Sequence, residues 1–450
     1  CMKLADLEHA RVAVWGYGRE GRAALAALRR RFPDKPLALF CSEDEKAQVA
    51  VDANLRLVPG PVDAPALSAF DIVIKSPGIS AYKSPVPEAM ASGVRFTSGT
   101  TLWFAERPDA RVIGVTGTKG KSTTSALIAH LARALGVRTA LAGNIGMPLL
   151  DLLGQQAELW VVELSSFQTG DAGPLDVGVI TNLYEEHLDW HGTRERYFAD
   201  KLKLADAARR LVVNALQPDL LARTAAHAQR TTFGDRAGWH VRGGAIRHAS
   251  RIVLPAAGTP LPGEHNALNV CAALAAIEGV GLDAIAAAGH VAVFKPLPHR
   301  LQALGERDGV TFINDSISTT PLATIEALRS LQGRPVTVFV GGFDRGVDWN
   351  PFVEYVARHP PRGILTMGAN GPRIAASLAS RDCASAQAAS LAEAVAIARK
   401  LTPAGGTILL SPGAPSFDQF RDYAERGREF ARLAEFDPAA IASIEGLGIA

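Results

Sequence analysis

The stretch "GVTGTKGKSTT", Gly114 to Thr124, follows the apolar run Val112–Val115 and precedes a helical pattern. Leu127, Ile128, Leu131 and Leu135 share one face of that helix, and Gly136 supplies its C-cap. Glycines, a lysine and hydroxyls at a strand-to-helix turn predict a phosphate cradle. Glycine lets backbone N–H groups turn inward on phosphate oxygens, and the helix N-terminus adds positive dipole charge. The common P-loop spacing is not met, because Val115 stands where its first glycine belongs. The segment Gly117, Thr118, Lys119, Gly120, Lys121, Ser122, Thr123 keeps the mechanics all the same. Lys121 is expected to reach the β- and γ-phosphates of ATP, and the Ser122 or Thr123 hydroxyl to bind Mg²⁺.

Outward from this loop, strand-like and helix-like segments alternate almost throughout, which predicts an α/β class with parallel sheets. Strands are expected at Arg11–Trp15, Leu37–Cys41, Leu159–Glu163, Val177–Thr181, Val336–Val340, Gly363–Met367 and Thr407–Ser411, and helices at Gly21–Arg31 and Ala267–Ile277. The pattern falls into three blocks, 1–97, 98–298 and 299–450, each with its own strand–helix alternation. The apolar stretch Ala267 to Ala288 is broken by Asn269, Glu278 and Asp283, so it reads as buried helix and not as a membrane span.

The chain has 450 residues, 48% hydrophobic and 20% charged, the balance of an ordinary globular protein. A formal net charge of +2 gives no field that argues for a nucleic acid or membrane partner. Cys1, Cys41, Cys271 and Cys383 lie far apart and form no metal or redox spacing, and the opening residues lack a signal-peptide pattern. A cytoplasmic location is expected.

Gly16, Gly18 and Gly21 in "VWGYGREG" match G-x-G-x-x-G after a strand, a pattern open to two readings: a diphosphate site, or close strand–helix packing. By itself it also suggests a nicotinamide dehydrogenase, which would leave the loop at Gly117 unexplained. Glu163 ends an apolar strand and is well placed to hold Mg²⁺. His187 sits amid Glu185, Glu186 and Asp189. Lys201, one helical turn after Tyr197, reads as a solvated lysine.

Taken in order, "GTKGKSTT", "AGNIGMPLL", "VVELSSFQ", "TNLYEEHLDWHGT", "DKLKL", "GEHNALNVCAALAA", "HRLQ", "NDSISTTPLAT", "GGFDRGVDW" and "LLSPGAPSFDQFRDYAERGREF" resemble the Mur ligases of bacterial peptidoglycan synthesis, over essentially the whole chain. The members that add glutamate to UDP-N-acetylmuramoyl-L-alanine are the most similar. The resemblance implies an N-terminal Rossmann-like UDP domain, a central P-loop ATPase domain and a C-terminal Rossmann-like domain. It implies that ATP converts the substrate carboxylate to an acyl phosphate, which the amino group of glutamate then attacks. It makes Lys121 and Ser122 part of the ATP–Mg²⁺ site and Glu163 a ligand of a first Mg²⁺. His187 and a carbamylated Lys201 would serve a second. Asn144, with His187, becomes a muramoyl-side contact, and Gly16, Gly18 and Gly21 hold the UDP part. Asn266, Asn269, Arg300 and Asp315 become nucleotide contacts, and Thr319, Arg345, Ser416 and Tyr423 the amino-acid pocket. A folylpolyglutamate synthase shares the loop and the modified lysine but needs no UDP domain. A monomer is expected.

The chain departs from the pattern of D-glutamate-adding members. Their "NDSKATN" lysine is Ile317 here, their "GGxxK" lysine is Arg345, "SPACAS" reads Ser411 to Ser416 with Pro415, and a late phenylalanine is Tyr423. Ile317 cannot pair with a carboxylate, whereas Arg345 can grip one with a planar fork. Both glutamate enantiomers carry the same charges, so selection depends on where the donors sit. The moved donors point to an L-glutamate-accepting member, with D-glutamate the alternative.

Overall fold

A computed structural model of the chain describes residues 2–186, 188–261, 263–381, 385–441, 444 and 446–449. It is an α/β protein built on three sheets. The first has β1 (Val12–Trp15), β2 (Leu37–Cys41), β3 (Leu55–Pro59), β4 (Ile72–Lys75) and β5 (Arg95–Thr97), all parallel in the order β3-β2-β1-β4-β5. Alternation along β1 sends Val12 and Val14 into one core and Ala13 into another, so both faces are covered, as a doubly wound sheet requires. The helix Arg19–Arg31 covers one face with Ala23, Ala24, Ala27 and Leu28.

The second sheet contains β6 (Val112–Thr116), β7 (Thr139–Gly143), β8 (Leu159–Glu163), β9 (Leu175–Ile180), β10 (Ala208–Asn214), β11 (Arg230–Phe233), β12 (Trp239–Arg242), β13 (Ala245–His248) and β14 (Arg251–Pro255). Its order runs β14-β13-β12-β11-β10-β9-β6-β8-β7. From β7 to β12 the pairs are parallel, but β12–β13 and β13–β14 are antiparallel. Expecting parallel sheets alone missed this hairpin edge. Its signal was Gly243-Gly244, both at positive φ (59° and 70°), the turn that suits the twist of two paired strands.

The third sheet has β15 (Gln302–Arg307), β16 (Val310–Asn314), β17 (Val336–Val340), β18 (Gly363–Thr366), β19 (Ala386–Gln387) and β20 (Thr407–Leu410), in the order β15-β16-β20-β17-β18-β19. Only β15 is antiparallel to its neighbour. A short strand, β21 (Gly448–Ile449), pairs antiparallel with β7 of the second sheet. Two compact units result: residues 1–258, 265–294 and 446–450 form one, and 259–264 and 295–445 the other. The apolar stretch after Ala267 folds as two helices, Glu264–Gly279 and Ala284–Ala288. Among the described residues no helix is long and apolar enough to cross a membrane.

The glycine turn after β1 separates two roles within one motif. A Cβ on Gly21 would lie 1.8 Å from the carbonyl oxygen of Gly16, so the helix can approach the strand only without one. A Cβ on Gly18, the N-cap of the same helix, would meet nothing within 4 Å. Gly21→Ala should therefore destabilise the chain by about 3 kcal/mol, the upper range for overpacking, seen as a lowered unfolding temperature. Gly18→Ala should unfold like the parent, so any loss of affinity it causes for a UDP-linked ligand reports binding and not packing.

Candidate active site

β6 ends at Thr116, the helix Lys121–Ala134 begins shortly after it, and the turn between them is braced from three sides. Gly120 is left-handed (φ 83°), and a Cβ there would lie 2.3 Å from Asn269 Oδ1 on the helix Glu264–Gly279. Asn269 is held in turn by Asn266, to whose Oδ1 its Nδ2 donates at 3.1 Å, and both are buried. From the end of β9, Asn182 accepts the backbone N–H groups of Thr118 (3.0 Å) and Lys119 (2.8 Å), and Thr181 Oγ donates to Lys119 O at 2.6 Å. The Thr118 and Lys119 amides are thus spent on Asn182 and do not turn inward. Lys121 Nζ donates to Thr118 O at 3.0 Å, Lys119 pairs with Glu186, and Thr123 is buried beside the half-buried Ser122.

Lys201 is the largest correction to the sequence reading. Its side chain is 1% exposed, and its Nζ donates to Gly117 O at 2.9 Å over the face of Tyr197. The solvated-lysine expectation is overturned: Tyr197, Phe198, Lys201 and Leu204 form the buried side of the helix Arg194–Ala207. Burial and then the like charge of Lys121 pull the amine well below its ordinary pKa, against the opposing pull of Glu186 and Glu163. Glu163 ends β8 and is buried. Its Oε1 accepts Asn144 Nδ2 at 2.7 Å, whereas its Oε2 is buried with no partner among the described residues. Two lysines and two carboxylates therefore face one another around the loop.

A further group went unread in the sequence. His191 is fully buried. Its Nδ1 lies 2.7 Å from Asp200 Oδ2 and its Nε2 3.0 Å from Ser166 Oγ. Burial lowers the imidazole pKa, against the pull of Asp200, so the neutral ring donates from Nδ1 and accepts from Ser166. Asp200 also accepts from Tyr82 and Lys203, both at 2.6 Å. Burial pushes its carboxyl up, but the hydrogen bonds of Lys203, Tyr82 and His191 outweigh this and hold it below the ordinary value. Asp200 immediately precedes Lys201, so the network sets the helix that carries the amine. The "DWHG" run was the available signal. His187 lies outside the described residues. Gly16, Gly18 and Gly21 sit at the β1 turn, in the first sheet's part of the same compact unit.

In the other unit, the loops after β16, β17 and β20 share the carboxyl edge of the third sheet, where doubly wound sheets bind ligands. Asp315 follows β16 and is buried. Its Oδ1 accepts Leu301 N (3.1 Å) and its Oδ2 accepts Ser411 Oγ (2.7 Å). Burial pushes its carboxyl up to about 6, against Ser411, Leu301 and Arg300. Arg300 keeps a buried Nε without a partner among the described residues. Thr319 lies on the β16 loop, Arg345 on the β17 loop and Ser416 on the β20 loop, while Tyr423 opens the helix Tyr423–Leu433. Arg345 and Tyr423 are exposed; Ser416 is buried, and its Oγ has no partner among the described residues.

Residues 115–277 match the family described as Mur ligase middle domain, and 299–413 match Mur ligase, glutamate ligase domain. The chain is 51% identical, over 100% of both chains, to a protein of Xylella fastidiosa (strain 9a5c) named "UDP-N-acetylmuramoyl-L-alanine--L-glutamate ligase". It is 40% identical to a protein of the same name from a Micromonospora strain, over 96% of this chain and 97% of the other. In fold it is similar to UDP-N-acetylmuramate-alanine ligase from Thermotoga maritima, with a TM-score of 0.62 and 19% identity over 95% of this chain and 99% of the other. A braced strand–loop–helix cradle ringed by two lysines and two carboxylates, followed by a doubly wound unit and matched along its whole length by these relatives, places this chain in the Mur ligase family.

Proposed function

We propose that this chain joins L-glutamate to UDP-N-acetylmuramoyl-L-alanine with conversion of ATP to ADP and phosphate, as a step in peptidoglycan precursor synthesis. The observation that carries the reading is the 51% identity, over the full length of both chains, to a protein named for that reaction. The departures at Ile317, Arg345 and Pro415 from the D-glutamate pattern agree with it. A carboxylate oxygen would take the γ-phosphoryl group of ATP, releasing ADP. The glutamate nitrogen would then add to the carbonyl carbon, lose its proton and expel phosphate.

Each part of the cradle supports a role. Lys121 would neutralise the transferring phosphoryl group, with Gly117 to Thr123 shaping the turn around it, and Asn266, Asn269, Arg300 and Asp315 would hold the nucleotide. The buried, unpartnered Glu163 Oε2 suits a hard cation, so Glu163 with Ser122 would hold Mg²⁺, and His187 with Lys201 a second ion. Cations held by these residues would supply charge neutralisation to the phosphate oxygens. Burial draws the Lys201 pKa down and so favours the neutral amine, which is the form that adds to carbon dioxide. Loss of an N–H proton would leave an anionic carbamate on Lys201 in place of a cation. Asn144 would orient the muramoyl side, Gly16, Gly18 and Gly21 the UDP part, and Thr319, Arg345, Ser416 and Tyr423 the glutamate. We place the domain limits at 1–97, 98–298 and 299–450, and the protein in the cytoplasm as a monomer.

The direct test supplies UDP-N-acetylmuramoyl-L-alanine, ATP and either glutamate enantiomer and measures phosphate release. Turnover with L-glutamate is expected; turnover with D-glutamate alone would move the assignment to the other enantiomer. Lys121→Ala should abolish turnover, a loss of about a thousandfold or more as for other transition-state charge stabilisers, while UDP-substrate binding measured by calorimetry persists. Lys201→Ala should be nearly inactive and regain part of its turnover in millimolar formate or acetate, whose oxygens replace those of the carbamate. Near-normal turnover without additive would return Lys201 to a structural role.

A further inference from the structure

Arg426 is the largest charged side chain buried in the unit that holds the third sheet: it is 1% exposed, and no ion pair holds it among the described residues. Asp418 acts on it only at longer range and is itself engaged by Ala369 N at 2.8 Å. Burial pulls the guanidinium down to about 10, still cationic at neutral pH. A buried cation without a carboxylate partner is expensive, and an apolar residue of similar volume would avoid the expense. What the residue does with its donors explains why it is there.

Its Nε donates to Ser316 Oγ at 3.0 Å, and its Nη2 donates to Ser316 O at 2.9 Å and to Ala414 O at 3.0 Å. Ser316 follows β16, and Ala414 follows β20. Nη1 has no partner among the described residues and stands 3.2 Å from where a Cβ on Gly342, after β17, would lie. The β17 and β20 loops are further joined by Gly341 N to Pro412 O (2.7 Å) and Phe343 N to Pro415 O (2.8 Å). One guanidinium therefore underlies all three loops at the edge that carries Thr319, Arg345 and Ser416. The helix that brings it can sit this close because Gly427 has no side chain: a Cβ there would be 2.2 Å from His299 Nδ1.

We infer that Arg426 is a positioning residue for the amino-acid site, clamping the β16 and β20 loops so that their donors discriminate between glutamate enantiomers. This rests on the proposed glutamate ligation. The planar fork reaches two carbonyls and a hydroxyl at once, a geometry that a lysine ammonium on a flexible stem does not reproduce. Loss of the clamp displaces the loops relative to one another and leaves the UDP site, built on the other unit's sheets, untouched at first order.

The test is phosphate release by the whole chain bearing Arg426→Lys, with L- and D-glutamate and saturating UDP-N-acetylmuramoyl-L-alanine. The KM for L-glutamate should rise about tenfold or more and the L-to-D ratio of kcat/KM should fall by a similar factor, with the KM for the UDP substrate nearly unchanged. Ser316→Ala removes one acceptor without removing the charge and should move the same two quantities less, in the same direction. It decides the matter if Arg426→Lys does not fold. A lowered unfolding temperature with the L-to-D ratio retained in both variants would overturn the inference and leave Arg426 a structural residue. If the unsubstituted chain turns over neither enantiomer, the proposed reaction fails and the clamp with it; if it turns over glutamate and the variants keep its KM, the clamp alone fails.

Discussion

Lys201 Nζ donates to the carbonyl of Gly117 from a side chain with almost no exposed surface, and so ties the helix Arg194–Ala207 to the phosphate loop. The next contacts follow from this one. Tyr197, a turn earlier, shares a hydrogen bond with Thr118 at 2.9 Å, and Asp200, one residue earlier, collects His191, Tyr82 and Lys203. Loop, helix and the Tyr82 segment thereby form one polar network in a low-dielectric setting, where each satisfied bond strengthens its neighbours and a broken one is costly. The burial that makes the network rigid also draws the pKa of the amine down.

Arg426 solves a related problem in the other unit. Loops at the carboxyl ends of parallel strands present carbonyls that no sheet partner satisfies. A buried basic side chain can gather them, at Gly117 through an amine and at Ser316 and Ala414 through a guanidinium. The number of acceptors decides which group serves, since one carbonyl suits a single nitrogen whereas two separated loops need a fork. Both groups stabilise loops that follow the carboxyl ends of sheet strands, the edge at which doubly wound sheets bind ligands.

Buried parallel strands were legible because both of their faces are apolar: Leu37–Cys41, Leu159–Glu163 and Val336–Val340 have the limits their composition predicts. The phosphate loop was legible because its glycines and lysine are local requirements of one turn. The strands β12 to β14 were not, since they carry Arg242, Arg247, His248 and Arg251 on an edge with little to bury. β21 is two residues long and exists only because β7 offers an unpaired edge. The helix Arg194–Ala207 buries Asp200 and Lys201 among its aromatics, so polar residues occupy the face that hydrophobic periodicity reserves for the core.

The sequence by itself determined the fold class, the cradle and the ordered motifs, because each depends on neighbours within a few residues or on composition along one strand. Tertiary structure alone decided that Lys201 is buried and not solvated, that His191 joins Ser166 to Asp200, and that Arg426 ties the distant Ser316 loop to the loop at Ala414. The physical reason is that charge state and burial are properties of the surroundings. A lysine or arginine carries no local sign of whether water or a carbonyl from a distant loop will face it, and only the packed chain supplies that partner.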